Sequence, residues 1–464
     1  MGANVYSTIR ELSDGIRRKM ISPVELTETS LERLEEIGPR YNAVVTVTRE
    51  RAISEAEKAE DEIRSGTYRG PLHGVPYGVK DLLATSGGIP TSWGAAPLKN
   101  QIFQKDATVI TKLREAGAIL TAKLAMIEFA GGMGYRQPHA TFTGPPRNPW
   151  DPETWTGGSS SGSGAAVSAG LVPFAIGSET WGSILSPANN CGVAGLRPTY
   201  GRVSRAGAMA LSYTLDKLGP LCLTADDCGL VLEAISGSDP EDPSATQRPY
   251  SYEVTQRNFR LAIIKDGTEG IDEEIGANFQ AALDTLSKFA TIEEVEFPDL
   301  PYEAITRVIL SAEAASAHEE FIESGKMSEL TAPEDHYGAY PRMVVLAKDY
   351  IRATRLRAKM ARAADEAMSG FDAVVAPTSR RVASPIVEEF RRTSPGTSRD
   401  VMGAVGNGAG LPSISVPSGF TEAGLPTGIQ FMGRAYAENT IIAVAKRYQE
   451  NTDWHRRHPA DTTP

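Results

Sequence analysis

The most informative segment of the sequence is the glycine-serine run Thr156-Gly-Gly-Ser159-Ser160-Ser161-Gly-Ser163-Gly164. A run of glycine and serine can be a flexible linker, but a linker would continue into polar sequence. This run instead enters the alanine-rich segment 165–170 and then the apolar segment 171–176. Backbone N–H groups at the start of a helix, beside several hydroxyls, suit a polar or anionic group. No Gly-Lys-Ser/Thr follows, as a phosphate-binding loop requires. Locally, a linker or turn and a functional loop both stay open.

A second segment, Gly177-Ser-Glu-Thr180-Trp181-Gly182-Ser183, follows the apolar run directly. A serine after a glycine, on a tight turn at the end of a strand, can present its hydroxyl to a pocket. Neighbouring backbone N–H groups are then free to bind an oxyanion. An ordinary Gly-Ser turn explains the same residues, and for this segment alone it is the favoured interpretation.

A serine nucleophile needs a base, and the six histidines do not provide one in any recognisable esterase motif. Lys80, in Gly74-Val-Pro-Tyr-Gly-Val-Lys80-Asp81, ends an apolar run that predicts a strand. Burial at that position would lower the pKa of the amine, so that it could accept a proton. A solvated Lys80 paired with Asp81 is the alternative. Ser–Lys catalysis is an established variant of triad chemistry.

Composition limits the classes of function. The 464 residues include 47 Lys and Arg against 58 Asp and Glu, a net charge of −11. This balance argues against sequence-independent binding of nucleic acid or an anionic membrane. No apolar run approaches the roughly 18–20 residues of a membrane span. An N-terminus without an apolar signal core and three cysteines, too few for a disulfide framework, favour a cytoplasmic protein.

The order of predicted elements indicates an α/β fold. Residues 5–66 are predicted to be helical, and from about residue 71 strand-like runs alternate with helical ones. We expect one domain spanning residues 1–464. Within it, residues 1–68 form a helical N-terminal cap, and residues from about 235 to 370 form a more variable region on the substrate side. Buried strands are predicted at 75–79, 118–123, 171–176 and 371–376, and a long helix at 350–368.

Together these segments resemble the amidase signature family of serine hydrolases. The resemblance covers nearly the whole chain, and it implies a large mixed, twisted β-sheet covered on both faces by helices. The motifs that carry it are Gly78-Val-Lys80-Asp81, Gly157-Gly-Ser159-Ser160-Ser161-Gly-Ser163, Gly182-Ser183-Ile184, Cys191-Gly-Val-Ala-Gly-Leu-Arg-Pro-Thr-Tyr-Gly-Arg-Val-Ser204, Leu215-Asp-Lys-Leu-Gly-Pro220 and Gly410-Leu-Pro-Ser-Ile-Ser-Val-Pro417.

The resemblance implies a Ser–cis-Ser–Lys triad and no metal or cofactor. Ser183 would be the nucleophile, Ser159 the bridging serine next to a non-proline cis peptide bond, and Lys80 the base acting through Ser159. Ser160 would support this network. Water would then hydrolyse the acyl-enzyme. The backbone N–H groups implied for the oxyanion hole belong to Thr180, Trp181, Gly182 and Ser183, and the implied substrate-binding residues are Gly132, Met133 and Tyr135.

Three positions depart from the family pattern. Trp181 stands where a second glycine is usual before the nucleophile. Leu185-Ser186-Pro187 replaces the common Arg-x-Pro, and Ser161 replaces a usual glycine. None of these changes removes a member of the triad, so we expect activity with an altered substrate preference.

Within the family, the departures at Trp181 and Leu185 favour a stand-alone hydrolase of small-molecule amides, extending to aryl amides, esters or carbamates. It would need neither nucleic acid nor membrane, and a homodimer stays open. The alternative is the glutaminase component of a tRNA-dependent amidotransferase, which needs partner subunits. That branch places a carboxylate for the glutamine amino group where Asp400 stands, although a helix cap explains Asp400 as well. Arg342 is the nearest candidate for the accompanying arginine. Intact triad positions disfavour a non-catalytic binding protein.

Overall fold

The computed structural model describes residues 5–265, 267–389 and 401–460. Within these ranges the chain forms thirteen α-helices, several short 3₁₀ turns and thirteen strands. The helices are α1 Ile9–Arg17, α2 Pro23–Glu36, α3 Arg49–Arg64, α4 Thr108–Glu115, α5 Ser161–Ser168, α6 Leu185–Cys191, α7 Ala225–Ile235, α8 Glu273–Leu286, α9 Tyr302–Ala317, α10 Glu319–Glu323, α11 Ala347–Ala367, α12 Val401–Gly408 and α13 Glu438–Glu450. The strands are β1 Val44–Val47, β2 Pro76–Lys80, β3 Ile119–Leu124, β4 Arg147–Asn148, β5 Asp151–Trp155, β6 Phe174–Glu179, β7 Ala194–Arg197, β8 Lys217–Cys222, β9 Phe259–Ile264, β10 Ala290–Val295, β11 Ala373–Pro377, β12 Ser413–Phe420 and β13 Pro426–Met432.

Eleven of these strands form one mixed sheet, in the order β1-β3-β2-β6-β8-β7-β12-β13-β11-β9-β10. Strands β3, β2 and β6 run parallel, as do β11, β9 and β10, and the other neighbours are antiparallel. Strands β4 and β5 form a separate antiparallel pair. The prediction of a large mixed sheet is confirmed.

Both faces of the sheet are covered. Successive side chains of a strand point to opposite faces, and β6 follows this rule. Phe174 and Ile176 pack in the larger apolar cluster, whereas Ala175 packs in a second cluster. That second cluster also contains Ala165 of α5 and Ala188 of α6. The glycine-serine run therefore leads into a fully buried helix, and the linker interpretation of it is wrong.

All four predicted strands form within a few residues of the expected positions, as β2, β3, β6 and β11. The N-terminal segment differs from the prediction, because it contains the short strand β1 as well as helices. Val44 to Val47 pair antiparallel with β3 at the edge of the sheet. A run of four residues between two strong helical patterns is too short to show a strand period.

The parallel pairing of β2 and β6 positions the site. Val79 lies opposite Ile176, which places Lys80, the last residue of β2, beside the end of β6. The carboxyl ends of parallel strands meet at one edge of a sheet, where ligands commonly bind in α/β folds. No described helix is long and apolar enough to cross a lipid bilayer.

Candidate active site

Lys80 is fully buried and bonded to two neutral hydroxyls. Its Nζ donates to Ser159 Oγ at 2.7 Å and to Ser178 Oγ at 3.0 Å. Burial lowers the pKa of the Lys80 amine to about 7, although Asp216 and Glu179 oppose this shift. At neutral pH a large fraction of Lys80 is therefore an uncharged amine that can accept a proton. A surface pair with Asp81 is excluded, because both residues are buried and Asp81 pairs with Lys123 at 3.0 Å.

Ser159 lies in a turn packed against the segment that follows Ser183. The Gly158–Ser159 peptide bond is cis, and the Ser159 side chain is fully buried. Gly157 has φ +79°, and a Cβ at this position would lie 2.7 Å from Ser186 Oγ and 3.0 Å from the nitrogen of Pro187. Both the positive φ and this close approach require glycine. The glycine thus lets the turn of Ser159 approach the start of α6.

Ser160 bonds to the end of β6 and to the turn of Ser183, and within the described residues no hydrogen bond joins it to Lys80. Its hydroxyl donates to the carbonyl oxygen of Ser178 at 3.1 Å and accepts from the Ser178 N–H at 3.2 Å. Its own backbone N–H donates to the carbonyl oxygen of Ser183 at 3.2 Å. These bonds hold the turn containing Ser159 next to the turn containing Ser183.

Ser183 lies one residue after Gly182, in the turn between β6 and α6. Its side chain is nearly buried, with 7% of the residue exposed. Gly182 has φ +83°, and a Cβ there would have no atom within 4 Å, so this turn faces open space. Within the described residues, the backbone N–H groups of Thr180, Gly182 and Ser183 have no hydrogen-bond acceptor. No hydrogen bond joins the Ser159 and Ser183 hydroxyls in the described part of the chain.

Glu179 holds the start of α6 from the buried side of the turn. Its Oε2 accepts from the backbone N–H groups of Ile184 at 2.9 Å and Leu185 at 3.0 Å. Its Oε1 accepts from Arg197 at 2.8 Å, and both side chains are buried. Burial raises the pKa of Glu179, but the charges of Arg197 and Lys217 outweigh it and lower the pKa overall. An ionised carboxylate thus orients the backbone directly after Ser183.

Trp181, one of the departures from the family pattern, contacts a cation. The guanidinium of Arg307, on α9, lies 5.5 Å from the centroid of the Trp181 ring. Such a contact is typically favourable by about 0.5–1 kcal/mol at an exposed site. The indole thereby connects the turn of Ser183 to the 235–370 region.

The predicted substrate-binding residues occupy one loop but different environments. Met133 packs in the main core. The ring of Tyr135 packs edge-on against that of Trp155, with the two ring centroids 6.4 Å apart. A Cβ on Gly132 would lie 3.0 Å from side-chain carbons of Leu211 and His318. Two further candidates concern the glutaminase alternative: Arg342 donates to the carbonyl oxygen of Gly131 at 3.3 Å, and Asp400 lies outside the described residues.

A cavity of about 190 Å³ lies beside Ser178 and Thr180, and its walls are mainly apolar. Lys80, Ser159 and Ser183 are not among its lining residues. Two of its charged lining residues, Arg205 and Asp242, pair with each other. The backbone N–H of Arg205 donates to Asp242 Oδ2 at 2.7 Å, and Arg205 Nε lies 3.5 Å from the same oxygen. Gly132, Met133 and Tyr135 are not among the lining residues. The lining residues are Leu82, Ala130, Ser178, Thr180, Arg205, Ala206, Ala208, Met209, Ala210, Leu211, Tyr213, Asp216, Leu218, Glu241 and Asp242.

Sequence reasoning assigned no role to Ser178, Glu179 or Asp216. Ser178 and Glu179 end a strand whose other residues are apolar or glycine, and Asp216 immediately precedes another buried strand. A buried carboxylate is costly unless it has partners. An acidic residue at the end of a predicted buried strand is therefore the sequence feature that could have identified Glu179 and Asp216 as parts of a site. Within the described residues, no group of three or more His, Cys, Asp or Glu side chains could hold a metal ion.

Comparisons with known proteins identify the relatives and solved structures that this chain resembles. A model of the amidase family matches residues 25–442. The glutamyl-tRNA(Gln) amidotransferase A subunit of Methylococcus capsulatus is 34% identical, over 98% of this chain and 98% of its own. The crystal structure of a peptide amidase from Stenotrophomonas maltophilia superposes with a TM-score of 0.85 at 29% identity, covering 99% of each chain. That of the corresponding amidotransferase A subunit from Thermotoga maritima gives 0.77 at 31% identity, covering 97% of this chain and 95% of its own.

Proposed function

This chain belongs to the amidase family, and from that premise we propose that it hydrolyses a carboxamide bond through an acyl-enzyme on Ser183. The observation that carries the proposal is the hydrogen bond from the buried Lys80 Nζ to Ser159 Oγ. An amine with a pKa of about 7, bonded to a serine hydroxyl, is a suitable proton acceptor at neutral pH.

In the proposed reaction, neutral Lys80 accepts the hydroxyl proton of Ser159. Ser159 Oγ in turn accepts the hydroxyl proton of Ser183, and Ser183 Oγ attacks the amide carbonyl carbon. The same relay then delivers the proton to the departing amine. Water hydrolyses the resulting ester, so amide and water become acid and amine. The developing oxyanion would be bound by the backbone N–H groups of Thr180, Trp181, Gly182 and Ser183.

For the substrate, we propose a small-molecule amide with an apolar substituent, with activity extending to aryl amides, esters or carbamates. The cavity beside Thr180 supports this, because its walls are mainly apolar and Arg205 is already paired with Asp242. Binding to such walls removes apolar substrate surface from water, which makes the free energy of binding more favourable. This activity would require no partner protein.

The second candidate is the glutaminase component of a tRNA-dependent amidotransferase. Its support is the identity of 34% to 36% with relatives named as the A subunit of glutamyl-tRNA(Gln) amidotransferase, over nearly the whole chain. These sequence relatives favour the second candidate more than the stand-alone hydrolase. Glutamine would then supply the amide, and Arg342, next to the loop of Gly131, and Asp400 would be its candidate ligands.

The test is hydrolysis by the purified chain, without added proteins, of an anilide, a carbamate, an ester and glutamine. Turnover of the anilide or carbamate supports the stand-alone enzyme, and glutaminase activity that appears only with two added amidotransferase subunits supports the second candidate. Ser183→Ala and Lys80→Ala should abolish turnover. Ser161→Ala is the matched control, because its buried hydroxyl has no partner among the described residues. Full turnover by the first two variants would refute the mechanism.

A further inference from the structure

Asp216 is a nearly buried carboxylate directed at the turn of Ser183. It immediately precedes β8, and 8% of the residue is exposed. Its Oδ1 accepts from Thr180 Oγ1 at 2.5 Å. Its Oδ2 accepts from the backbone N–H groups of Leu211 at 2.7 Å and Ser212 at 2.9 Å. Three donors therefore converge on this carboxylate, which is the arrangement expected for its ionised form.

Thr180 connects Asp216 to the proposed oxyanion site. It is the first residue after β6, and its backbone N–H has no acceptor among the described residues. A β-branched side chain has few accessible χ1 rotamers, so fixing Oγ1 also restrains the backbone that carries it. The bond to Asp216 thus limits the directions in which the turn can present its N–H groups.

We propose that Asp216 is a positioning residue, which orients the oxyanion-binding turn through Thr180 and acts on Lys80 through its negative charge. The inference rests on the proposed hydrolysis at Ser183 and deepens it. Asp216 needs no direct contact with substrate for either effect. The two effects differ in kind, because one depends on a hydrogen bond and the other on a charge.

The charged groups around Lys80 and Asp216 set the direction of the electrostatic effect. Burial lowers the pKa of Lys80, and the carboxylates of Asp216 and Glu179 raise it. Burial raises the pKa of Asp216, against the bonds from Thr180, Ser212 and Leu211 and the charge of Arg205. Lys217, whose pKa burial lowers to about 7, also interacts with Asp216. Neutralising Asp216 therefore removes a charge that stabilises protonated Lys80.

Two substitutions separate the effects. In Asp216→Asn, the amide oxygen can still accept from the backbone N–H groups, and the amide nitrogen can donate to Thr180 Oγ1. This variant keeps the shape and loses the charge. In Thr180→Val, the carboxylate and the β-branched shape stay, but the hydrogen bond is lost. Thr180→Ser restores the hydroxyl and is the matched control.

The experiment measures the pH dependence of kcat/KM for an amide, and of Ser183 labelling by a fluorophosphonate, which phosphonylates an activated serine with loss of fluoride. We expect Asp216→Asn to move the acid limb of both profiles to lower pH. We expect Thr180→Val to lower kcat roughly 10-fold or more with little change in KM, in keeping with the effect of weakened oxyanion donors. Its acid limb should move less than that of Asp216→Asn, because the carboxylate stays and loses only the bond from Thr180 that lowers its pKa. Thr180→Ser should recover most of kcat.

An unmoved acid limb in Asp216→Asn would overturn the electrostatic role, and an unchanged kcat in Thr180→Val would overturn the positioning role. Circular dichroism and thermal unfolding establish that each variant folds. If Asp216→Asn does not fold, the Thr180→Val and Thr180→Ser pair still decides the positioning role. Failure of the proposed function is distinguishable, because then wild-type Ser183 is not labelled at any pH.

Discussion

The ammonium group of Lys123, on the neighbouring strand β3, lies 3.0 Å from the carboxylate of Asp81, the residue that follows Lys80, and both side chains are wholly buried. Lys80 is buried to the same extent, but its direct partners are the hydroxyls of Ser159 and Ser178. A buried ammonium ion is stabilised by a carboxylate, whereas neutral partners do not offset the loss of hydration. The two neighbouring lysines therefore differ in role: one is half of an ion pair, and the other is a candidate base.

The first prediction concerns pH. Because the pKa of Lys80 is lowered to about 7 and the base must be unprotonated, kcat/KM should rise with pH and level off above about 7. Lys80→Met should abolish turnover at every pH. Lys123→Met is the control: it should reduce stability by about 3 kcal/mol, since it leaves Asp81 without its cation, yet retain the midpoint of the profile. Rates that do not depend on pH between 5 and 9 would contradict the assignment.

A second prediction compares two glycines. Gly182 and Gly424 have φ +83° and +80°, and a Cβ on either would meet no atom within 4 Å. Gly182→Ala and Gly424→Ala should therefore each reduce stability by a similar amount, about 1 kcal/mol or more, from backbone strain alone. Activity should fall in Gly182→Ala only, because that glycine precedes Ser183. Chemical unfolding and kcat for both variants provide the measurement, and equal loss of kcat in both would contradict the role of this turn.

The cavity supplies a third prediction. Ala208 and Ala210 line it, so Ala210→Leu should reduce its volume. We expect kcat/KM for an anilide with a bulky apolar substituent to fall about 10-fold or more, while an acetyl anilide is little affected. Assays of the two substrates with the same enzyme preparation provide the comparison. An equal loss for both substrates would mean that the cavity does not hold the substituent.

The fourth prediction concerns two buried carboxyl groups. Glu128 and Asp335 are fully buried next to each other. Apart from the hydrogen bond between their own carboxyl groups, Glu128 Oε2 and both oxygens of Asp335 have no donor among the described residues. Burial, together with the neighbouring carboxyl group of Glu128, raises the pKa of Asp335 to about 9. A carboxyl group with a raised pKa stabilises the folded state below its unfolded pKa of about 4, and this contribution is lost progressively as pH rises towards 9.

Asp335→Asn removes this titration. Its stability should therefore depend less on pH between 5 and 9, and relative to wild type it should gain up to about 1.4 kcal/mol per pH unit across that range. Chemical unfolding at several pH values measures the difference. A constant difference between the two proteins at pH 5 and pH 9 would contradict the raised pKa.

Sequence patterns predicted the α/β class and the strands that carry the site, because buried strands give continuous apolar runs between glycines. The large mixed sheet followed only from the family resemblance. They did not predict β1, which is too short to show a period. The sequence predicts that Gly132, Met133 and Tyr135 bind substrate. In the structure Met133 packs in the core, and Ala130, two residues before Gly132, lines the cavity instead. Which side of a loop faces a cavity depends on backbone angles, such as the positive φ of Phe129 and Ala130, that residue types alone do not specify.

From the sequence alone it follows that Lys80 ends an apolar run and that Ser159 and Ser183 stand in glycine-containing segments, since glycine spacing and apolar runs are local properties of the chain. The tertiary structure alone decided which groups surround them. It placed Lys80 against Ser159 and Ser178, with no ion pair to a carboxylate in the part of the chain that the structure describes, and it directed Asp216 to Thr180. These contacts join residues 36 to 98 positions apart. The charge of a buried amine depends on such distant partners and on exclusion of water, which only the folded chain establishes.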